Sequence, residues 1–263
     1  MRIESNGTSL HVEVTGAQET SAPTVVFTNS LGTDLHLWDP IMDLLPDGPR
    51  YIRWDKRGHG LSDVPEPPYS MGQLVSDAEA VCDALEVRDC VFVGLSVGGM
   101  IAQGLAVKRM DIVRAMVLSN TAAKIGHPQL WADRIASVER HGMAALTDGI
   151  MERWFSAPFR QSDAVQPWRE MVESQNPKGY AGICAAISGT DFMTPTSGLR
   201  LPTLGIAGSD DGSTPPDLVR ETADLIPGST FHVIRRAGHL PCVEQPQEYA
   251  RLLTDFLTRT GTV

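Results

Sequence analysis

Positive charge is scarce in this sequence of 263 residues, which holds 22 Lys and Arg against 32 Asp and Glu and carries a net charge of −10 at pH 7. Nucleic acids and anionic membrane surfaces are bound through basic patches, so this balance disfavours both as partners. No apolar run approaches the roughly 20 residues that span a bilayer, and the N-terminal MRIESNGTSLHVEV lacks the apolar segment of a signal peptide. We therefore expect no nucleic-acid partner, no membrane association and a cytoplasmic location.

Cysteine is also rare, and the four that occur (Cys82, Cys90, Cys184 and Cys242) are scattered. They form no Cys-x-x-Cys pair and have no nearby histidine at zinc-ligand spacing, which predicts free thiols in a reducing compartment and no zinc site. The remaining composition, 42% hydrophobic and 21% charged residues, is typical of a globular protein. A chain of this length can bury a sizeable core as one α/β domain.

Short β-branched and apolar segments alternate with helical patterns along most of the chain. The segments predicted as strands are Ser9–Val14, Thr24–Thr28, Tyr51–Trp54, Cys90–Val93, Val113–Leu118, Pro202–Gly208 and Thr230–Ile234. Two apolar sets recur at helical spacing: Leu74, Ala78, Val81 and Leu85, and then Tyr249, Leu252, Leu253, Phe256 and Leu257. This alternation predicts an α/β fold with a mostly parallel, doubly wound sheet.

The alternation stops after Asn120, and residues 126–188 are helical in pattern and poor in strands. We interpret this segment as a helical cap inserted into a single domain, whose core consists of residues 1–125 and 189–263. No repeat, low-complexity segment or obvious linker interrupts the chain.

The strongest local motif is Gly94-Leu95-Ser96-Val97-Gly98, which follows a predicted strand and precedes the helical run Met100–Lys108. Gly-x-Ser-x-Gly in this setting is typical of a nucleophile elbow, a sharp turn that holds the serine in a strained conformation and requires small residues on both sides. A helix that begins behind the serine directs free N–H groups at a developing oxyanion. The alternative is a glycine-rich turn that only packs a helix on a strand.

A serine nucleophile needs a base, and the base needs an orienting carboxylate, which in this strand–turn–helix setting should follow in the order Ser, Asp or Glu, His. Asp210 and Asp211 come directly after the strand PTLGIAG and Ser209, and His239 follows the next strand. We predict a catalytic triad of Ser96, Asp211 and His239. Asp210 is the alternative acid, and it is otherwise expected to be a turn residue.

Two backbone N–H groups are needed to hold the oxyanion. The first is predicted to belong to Val97, the residue after the nucleophile. The second is predicted to belong to Leu31, in the loop Asn29–Thr33 after an early strand. A third polar loop, residues 54–63, has one histidine and two aspartates; we interpret it as a structural loop whose arginine and aspartate hold neighbouring backbone, rather than as a metal or phosphate site.

These motifs together resemble the α/β-hydrolase superfamily over nearly the whole chain, and within it the 3-oxoadipate enol-lactonases. The segments that carry the narrower resemblance are Phe27–Asp34 followed by Leu37–Pro40, Asp55–Asp63, Gly94–Gly99, Asn120–Ala122, Trp131–Ile135, Arg153–Phe155 and Gly238–Pro246. One departure is Gly212, where a proline usually follows the acid; it leaves the carboxylate in place.

The resemblance implies hydrolysis of 3-oxoadipate enol-lactone in the bacterial breakdown of aromatic compounds, by a Ser–His–Asp mechanism that needs no metal and no organic cofactor. The substrate is a small molecule with a free carboxylate, so a protein of net negative charge needs a local cation at its pocket. Arg134 and Arg153 are candidates for this contact, and Trp131 and Trp154 are candidates for apolar walls.

Other functions on the same fold stay open: hydrolysis of a different ester or thioester, cleavage of a C–C bond, or cofactor-free perhydrolysis, because the pocket and not the triad decides among them. A haloalkane dehalogenase is excluded because its nucleophile would be an aspartate at position 96. A ligand-binding protein of slow turnover is a rival from another class. The oligomeric state is not predicted.

Overall fold

The computed structural model describes residues 1–263 and centres on an eight-stranded sheet in the order β1-β2-β4-β3-β5-β6-β7-β8. The strands are β1 Arg2–Ser5, β2 Thr8–Gly16, β3 Thr24–Thr28, β4 Arg50–Trp54, β5 Cys90–Leu95, β6 Val113–Ser119, β7 Thr203–Gly208 and β8 Thr230–Ile234. The pairs β1–β2 and β2–β4 are antiparallel and all other pairs are parallel. The predicted α/β fold with a mostly parallel sheet is confirmed.

Seven of these strands were predicted from the sequence, two of them with the observed limits and five within two residues at an end. The eighth, β1, is missing from the prediction. Its sequence, Arg-Ile-Glu-Ser, holds one large apolar residue, Ile3, and therefore gives no pattern that distinguishes a strand from a loop. The strand forms because it pairs with β2 at the edge of the sheet.

Helices connect the strands and cover the sheet, and as a result every residue of β3, β4, β5 and β7 is buried. The α-helices are α1 Asp39–Met42, α2 Met71–Ala84, α3 Val97–Lys108, α4 Pro128–His141, α5 Ala144–Trp154, α6 Ala157–Arg160, α7 Gln166–Ser174, α8 Pro177–Ser188, α9 Met193–Ser197, α10 Pro216–Asp224, α11 Pro241–Glu244 and α12 Pro246–Arg259. Both predicted apolar sets are buried, on α2 and its C-cap and on α12. None of the helices is long and apolar enough to cross a membrane.

No strand occurs between the end of β6 and the start of β7, and α4 to α8 occupy most of this interval. These helices lie over the carboxyl ends of the parallel strands: Trp131 of α4 and Trp154 of α5 line the same cavity as Ser96 and His239. The division of the chain into a core and a cap at residues 126 and 188 stays a prediction. The four cysteines are all buried and unpaired.

Candidate active site

Ser96 lies at the sharp turn between β5 and α3, with φ 59° and ψ −120°. A positive φ is costly for a residue with a side chain, so the surroundings must enforce it. Neighbouring backbone leaves no room for a side chain at either glycine of the motif. A Cβ on Gly94 would lie 2.3 Å from the Gly98 oxygen, and one on Gly98 would lie 2.1 Å from the Thr28 oxygen. The two glycines of the motif are therefore required by this tight approach, as the elbow interpretation expects.

Asp211 and His239 follow β7 and β8, at the same edge of the sheet as Ser96. The Nδ1 atom of His239 lies 2.9 Å from Oδ2 of Asp211, and both side chains are buried. Asp210, the alternative acid, is exposed; it accepts a hydrogen bond from the hydroxyl of Ser209 and makes no contact with His239. The structure therefore brings His239 together with Asp211 and not with Asp210.

Asp211 is surrounded by hydrogen-bond donors. Its Oδ1 accepts from the backbone N–H groups of Ser213 and Thr214, and its Oδ2 accepts from Thr214 Oγ1 at 2.9 Å and from Asn120 Nδ2 at 2.8 Å. Burial alone would raise the pKa of Asp211, but the charge and hydrogen bond of His239, with those of Asn120 and Ser213, hold this pKa below its ordinary value. The carboxylate is thus ionised and ready to accept the imidazole N–H.

The other ring nitrogen of His239 faces the cavity. Its Nε2 lies 3.5 Å from the hydroxyl of Ser30, and no hydrogen bond joins it to the hydroxyl of Ser96, although both side chains line the same cavity. Such contacts are often long before substrate binds and shorten in the reacting complex.

Both backbone N–H groups predicted for the oxyanion are without a partner. Val97 is the first residue of α3, where a helix leaves its N–H groups without intrahelical acceptors. Leu31 lines the cavity, and its N–H donates to no acceptor in the structure. Two donors are therefore free to act on a charge that develops near Ser96.

The cavity has a volume of about 230 Å³ and is lined by the loops at the sheet edge and by residues of α4, α5 and α8. All four predicted substrate-binding residues line it: Trp131, Arg134, Arg153 and Trp154. The guanidinium of Arg134 lies 4.9 Å from the centre of the Trp131 ring, and burial together with the nearby Arg134 lowers the pKa of Arg153. No carboxylate of the protein forms an ion pair with either arginine, so both cations are free to bind an anionic group of a ligand.

A set of contacts, here called the clasp, joins the end of α5 to the loops that carry Asp211 and His239. The carbonyl of Arg153 accepts from the N–H of Gly212 at 3.1 Å, and the carbonyl of Trp154 accepts from the N–H of His239 at 2.7 Å. Glu244 completes the clasp by accepting from the N–H groups of Ser156 and Gly238 and from the Ser156 hydroxyl. The departure from proline at position 212 supplies one of these donors, since proline has no N–H.

A family model for the α/β hydrolase fold matches residues 23–246. The chain belongs to the α/β-hydrolase family. It is 33% identical over 259 residues to 3-oxoadipate enol-lactonase 1 of Acinetobacter baylyi, covering 98% of this chain and 96% of the relative, and 32% identical over 239 residues to 3-oxoadipate enol-lactonase 2 of the same organism, covering 90% and 89%. The crystal structure of the enol-lactonase from Burkholderia xenovorans LB400 superimposes with a TM-score of 0.94 at 35% identity, covering 98% of this chain and 100% of that one.

These similarities confirm the resemblance drawn from the sequence, and with it the prediction that the chain is an enzyme of the hydrolase class. The similarity extends through the residues above the sheet as well as through the sheet itself, because the aligned length is nearly the whole chain. The 3-oxoadipate enol-lactone named as substrate is that of the relatives.

The site of this α/β hydrolase also contains residues that the sequence patterns did not indicate. Asn120, at the end of β6 with φ 46°, binds both the Asp211 carboxylate and the Gly238 carbonyl, and Tyr180 and Ile187 of α8 line the cavity. A polar residue directly after a buried parallel strand was a usable signal for Asn120, because such positions meet at one edge of the sheet. No comparable signal marks the two residues of α8.

The loop of residues 54–63 is held by its own side chains in this hydrolase. Asp55 accepts from the backbone N–H groups of Leu35 and Leu61, as the structural interpretation expects. The expectation for the arginine was wrong: Arg57 binds the buried carboxylate of Asp77 with two bonds of 2.6 Å instead of binding backbone. No group of three or more His, Cys, Asp or Glu side chains is placed to hold a metal ion.

Removing the Glu244 carboxylate is expected to loosen the clasp. In Glu244→Ala, the N–H groups of Ser156 and Gly238 lose their acceptor, and we expect the free energy of unfolding to fall by about 3 kcal/mol, since hydrogen bonds to charged groups contribute roughly 1.5–3 kcal/mol each. Urea denaturation measures the change. Glu244→Gln places its NH₂ group against a donor in either orientation, because Oε1 faces the Gly238 N–H and Oε2 faces the Ser156 N–H and hydroxyl, so it should lose about as much as Glu244→Ala. Losses below about 0.5 kcal/mol in both variants, the range of an ordinary surface substitution, would contradict the role given to these bonds.

Proposed function

We propose that this α/β hydrolase opens the lactone ester of 3-oxoadipate enol-lactone to give 3-oxoadipate, with Ser96 as nucleophile, His239 as base and Asp211 as the orienting acid. The observation that carries the proposal is a single cavity lined by Ser96, by two arginines without carboxylate partners and by His239, which pairs with Asp211 behind it, in a chain about one third identical to two enol-lactonases.

In the first step, the hydroxyl of Ser96 attacks the lactone carbonyl and His239 Nε2 takes its proton. The N–H groups of Leu31 and Val97 bind the oxyanion that forms on the carbonyl oxygen. Asp211 keeps the proton of the imidazole on Nδ1 and stabilises the imidazolium. The hydrogen bonds that Asp211 accepts support this role because they fix the carboxylate and leave Oδ2 directed at the ring.

The tetrahedral intermediate then collapses, and the ester C–O bond to the ring oxygen breaks. The leaving group is an enolate, which takes the proton from His239 and becomes a ketone, so this step is favoured. The product remains joined to Ser96 as an acyl-enzyme. Water attacks the acyl carbonyl while His239 takes its proton, and the collapse of this second intermediate releases the new carboxylic acid and returns the proton to Ser96.

Hydrolysis of the enol-lactone by the purified protein, followed by the loss of ultraviolet absorbance, tests the proposal. Rapid turnover supports the substrate. Turnover of a nitrophenyl ester without turnover of the enol-lactone would retain the hydrolase and reject this substrate, and turnover of neither would favour a ligand-binding protein. For every variant described below, the same two assays distinguish a loss specific to the enol-lactone from a general loss of ester hydrolysis.

Arg134 and Arg153 are proposed to bind the substrate carboxylate. We expect Arg134→Met and Arg153→Met each to raise KM for the enol-lactone by about 10- to 100-fold, the equivalent of one lost charge-assisted hydrogen bond of roughly 1.5–3 kcal/mol. KM for neutral 4-nitrophenyl acetate should change by less than about twofold, because this ester has no carboxylate for the arginines to bind.

Arg140→Met is the matched control for these arginines, since Arg140 is an exposed residue of the same helix as Arg134 and lies outside the cavity. It should leave both values of KM unchanged. If the two cavity variants raise KM equally for the charged and the neutral ester, the arginines shape the pocket and do not bind a carboxylate.

A further inference from the structure

Lys56 is a fully buried lysine two residues after the end of β4. Its side chain has an exposed fraction of 0%, and its ammonium group forms no ion pair. The Nζ atom donates instead to two backbone carbonyls of the loop after β3, those of Ser30 at 2.9 Å and Thr33 at 3.4 Å. A buried cation without a paired anion is costly.

The two carbonyls do not need a lysine to be satisfied. The Ser30 oxygen also accepts from the N–H and from the hydroxyl of Thr33, and the Thr33 oxygen also accepts from the side-chain amide of Asn29 at 2.6 Å. An apolar side chain of the same length would fill the space without the cost of burying an ammonium group. The energetic cost of the charge therefore points to a role beyond packing.

The carbonyl of Ser30 belongs to the same peptide group as the N–H of Leu31. This peptide is trans, so its C=O and N–H point in opposite directions. A donor on the carbonyl therefore orients the N–H away from Lys56, and a positive charge there withdraws electrons from the amide and makes its hydrogen a stronger donor. The Leu31 N–H is the group proposed to bind the oxyanion.

The next peptide along the loop is fixed by a separate contact. The N–H of Gly32 donates to Nε2 of the buried His59 at 3.0 Å, so it is not available to the cavity. Burial and the charge of Lys56 lower the pKa of His59, which keeps this nitrogen unprotonated and able to accept. Lys56 and His59 thus hold two successive peptide groups in a defined orientation.

We propose that Lys56 is a positioning residue for ester hydrolysis, which acts through the Ser30–Leu31 peptide to orient and polarise the Leu31 N–H toward the oxyanion. This inference rests on the oxyanion role proposed for Leu31. It applies to any ester that Ser96 attacks, and so it does not depend on the enol-lactone as substrate.

The charge of Lys56 depends on the groups around it, which are Asp55, Asp34 and His59. Burial lowers the pKa of Lys56 to about 7, while the charges of Asp55 and Asp34 act in the opposite direction. Asp55 is itself held by the His11 ring and by backbone N–H groups. Lys56 is therefore charged below neutral pH and loses its proton as the pH rises above neutral. The polarisation of the Leu31 N–H should disappear over the same rise in pH.

Lys56→Met tests the proposal because methionine has a similar length and no charge. With 4-nitrophenyl acetate near pH 6, we expect kcat to fall about tenfold, less than the 10²- to 10³-fold loss typical when an oxyanion donor itself is removed, and KM to change by less than about twofold. The ratio of wild-type kcat to variant kcat should shrink toward about twofold as the pH is raised to about 9.

A purely structural lysine gives a different pattern. It predicts a lower melting temperature for Lys56→Met and a kcat ratio that does not vary with pH, and either an unchanged kcat or a pH-independent ratio would overturn the proposal. We expect instead a melting temperature equal to or above that of the wild type. Lys56→Gln keeps a neutral donor, and the ratio of wild-type kcat to its kcat should likewise shrink as the pH rises; this variant takes the place of the methionine variant if the latter fails to fold.

A control variant and a second substrate distinguish a failure of the Lys56 proposal from a failure of the proposed substrate. Lys108→Met removes one positive charge from an exposed residue of α3 and should leave the pH profile unchanged. If the wild type hydrolyses the nitrophenyl ester but not the enol-lactone, the substrate proposal fails while the Lys56 experiment still gives its answer.

Discussion

Replacing Ser96 by alanine is expected to lower kcat by at least about 10⁴-fold with every ester substrate, because a serine nucleophile and its base act as a unit and the loss of either removes most of the rate enhancement. The fold should be unaffected, since the hydroxyl of Ser96 forms no hydrogen bond to His239 and the backbone turn is enforced by Gly94 and Gly98. Steady-state assays measure the loss of kcat, and the melting temperature checks the fold. A stoichiometric burst of nitrophenol reports the acyl-enzyme, which the wild type should form and Ser96→Ala should not.

Ser30→Ala is the matched control. Ser30 is the other serine whose hydroxyl faces the imidazole, at 3.5 Å from His239 Nε2, and it lines the same cavity. Because its proposed contribution is made by its backbone, we expect kcat to fall by less than about tenfold, an order below the loss of a whole oxyanion-hole donor. A loss of activity in Ser30→Ala as large as that in Ser96→Ala, or a burst that persists in Ser96→Ala, would reject Ser96 as the nucleophile.

The order of the site residues along the chain could be predicted because each of them follows a strand of the parallel sheet. Ser96, Asp211 and His239 come after β5, β7 and β8, and the carboxyl ends of parallel strands meet at one edge. The strands themselves are short apolar runs between turn residues, which single-sequence patterns detect well. The topology therefore brings distant residues together without any knowledge of side-chain contacts.

The contacts that depend on the packing of separate segments could not be predicted. The clasp joins α5 to two loops more than fifty residues further along the chain, and two of its bonds join backbone groups to each other, whose partners leave no trace in residue type. Lys56 was also missed: a lysine in a polar loop is almost always exposed, and nothing local indicates that its side chain runs into the core. The partner of Arg57 was also missed, because Asp77 lies on α2, twenty residues further along the chain, and nothing near Arg57 in the sequence indicates this contact.

Asp211→Asn is expected to lower kcat by about 10⁴-fold and also to destabilise the protein. Every atom that faces the Asp211 carboxylate is a donor: two backbone N–H groups at Oδ1, and the Asn120 amide, the Thr214 hydroxyl and His239 Nδ1 at Oδ2. An asparagine amide must place its NH₂ group against one of these sets in either orientation. When the NH₂ group faces His239, the imidazole takes the wrong tautomer for a base, which is the source of losses of this size in such triads. In either orientation the unmatched donors should cost about 2–4 kcal/mol of unfolding free energy.

Asp210→Asn tests which of the two adjacent aspartates is the acid of the triad. Asp210 is exposed, and the amide oxygen of asparagine can still accept from the Ser209 hydroxyl, so kcat and stability should both stay at the wild-type values. Because the pKa of Asp211 is lower in the folded protein than its ordinary value, its carboxylate contributes stability above about pH 4 that is lost as the pH falls further. The wild type and Asp210→Asn should therefore lose stability together on acidification, whereas Asp211→Asn should lose less; the opposite assignment of these two profiles would make Asp210 the acid of the triad.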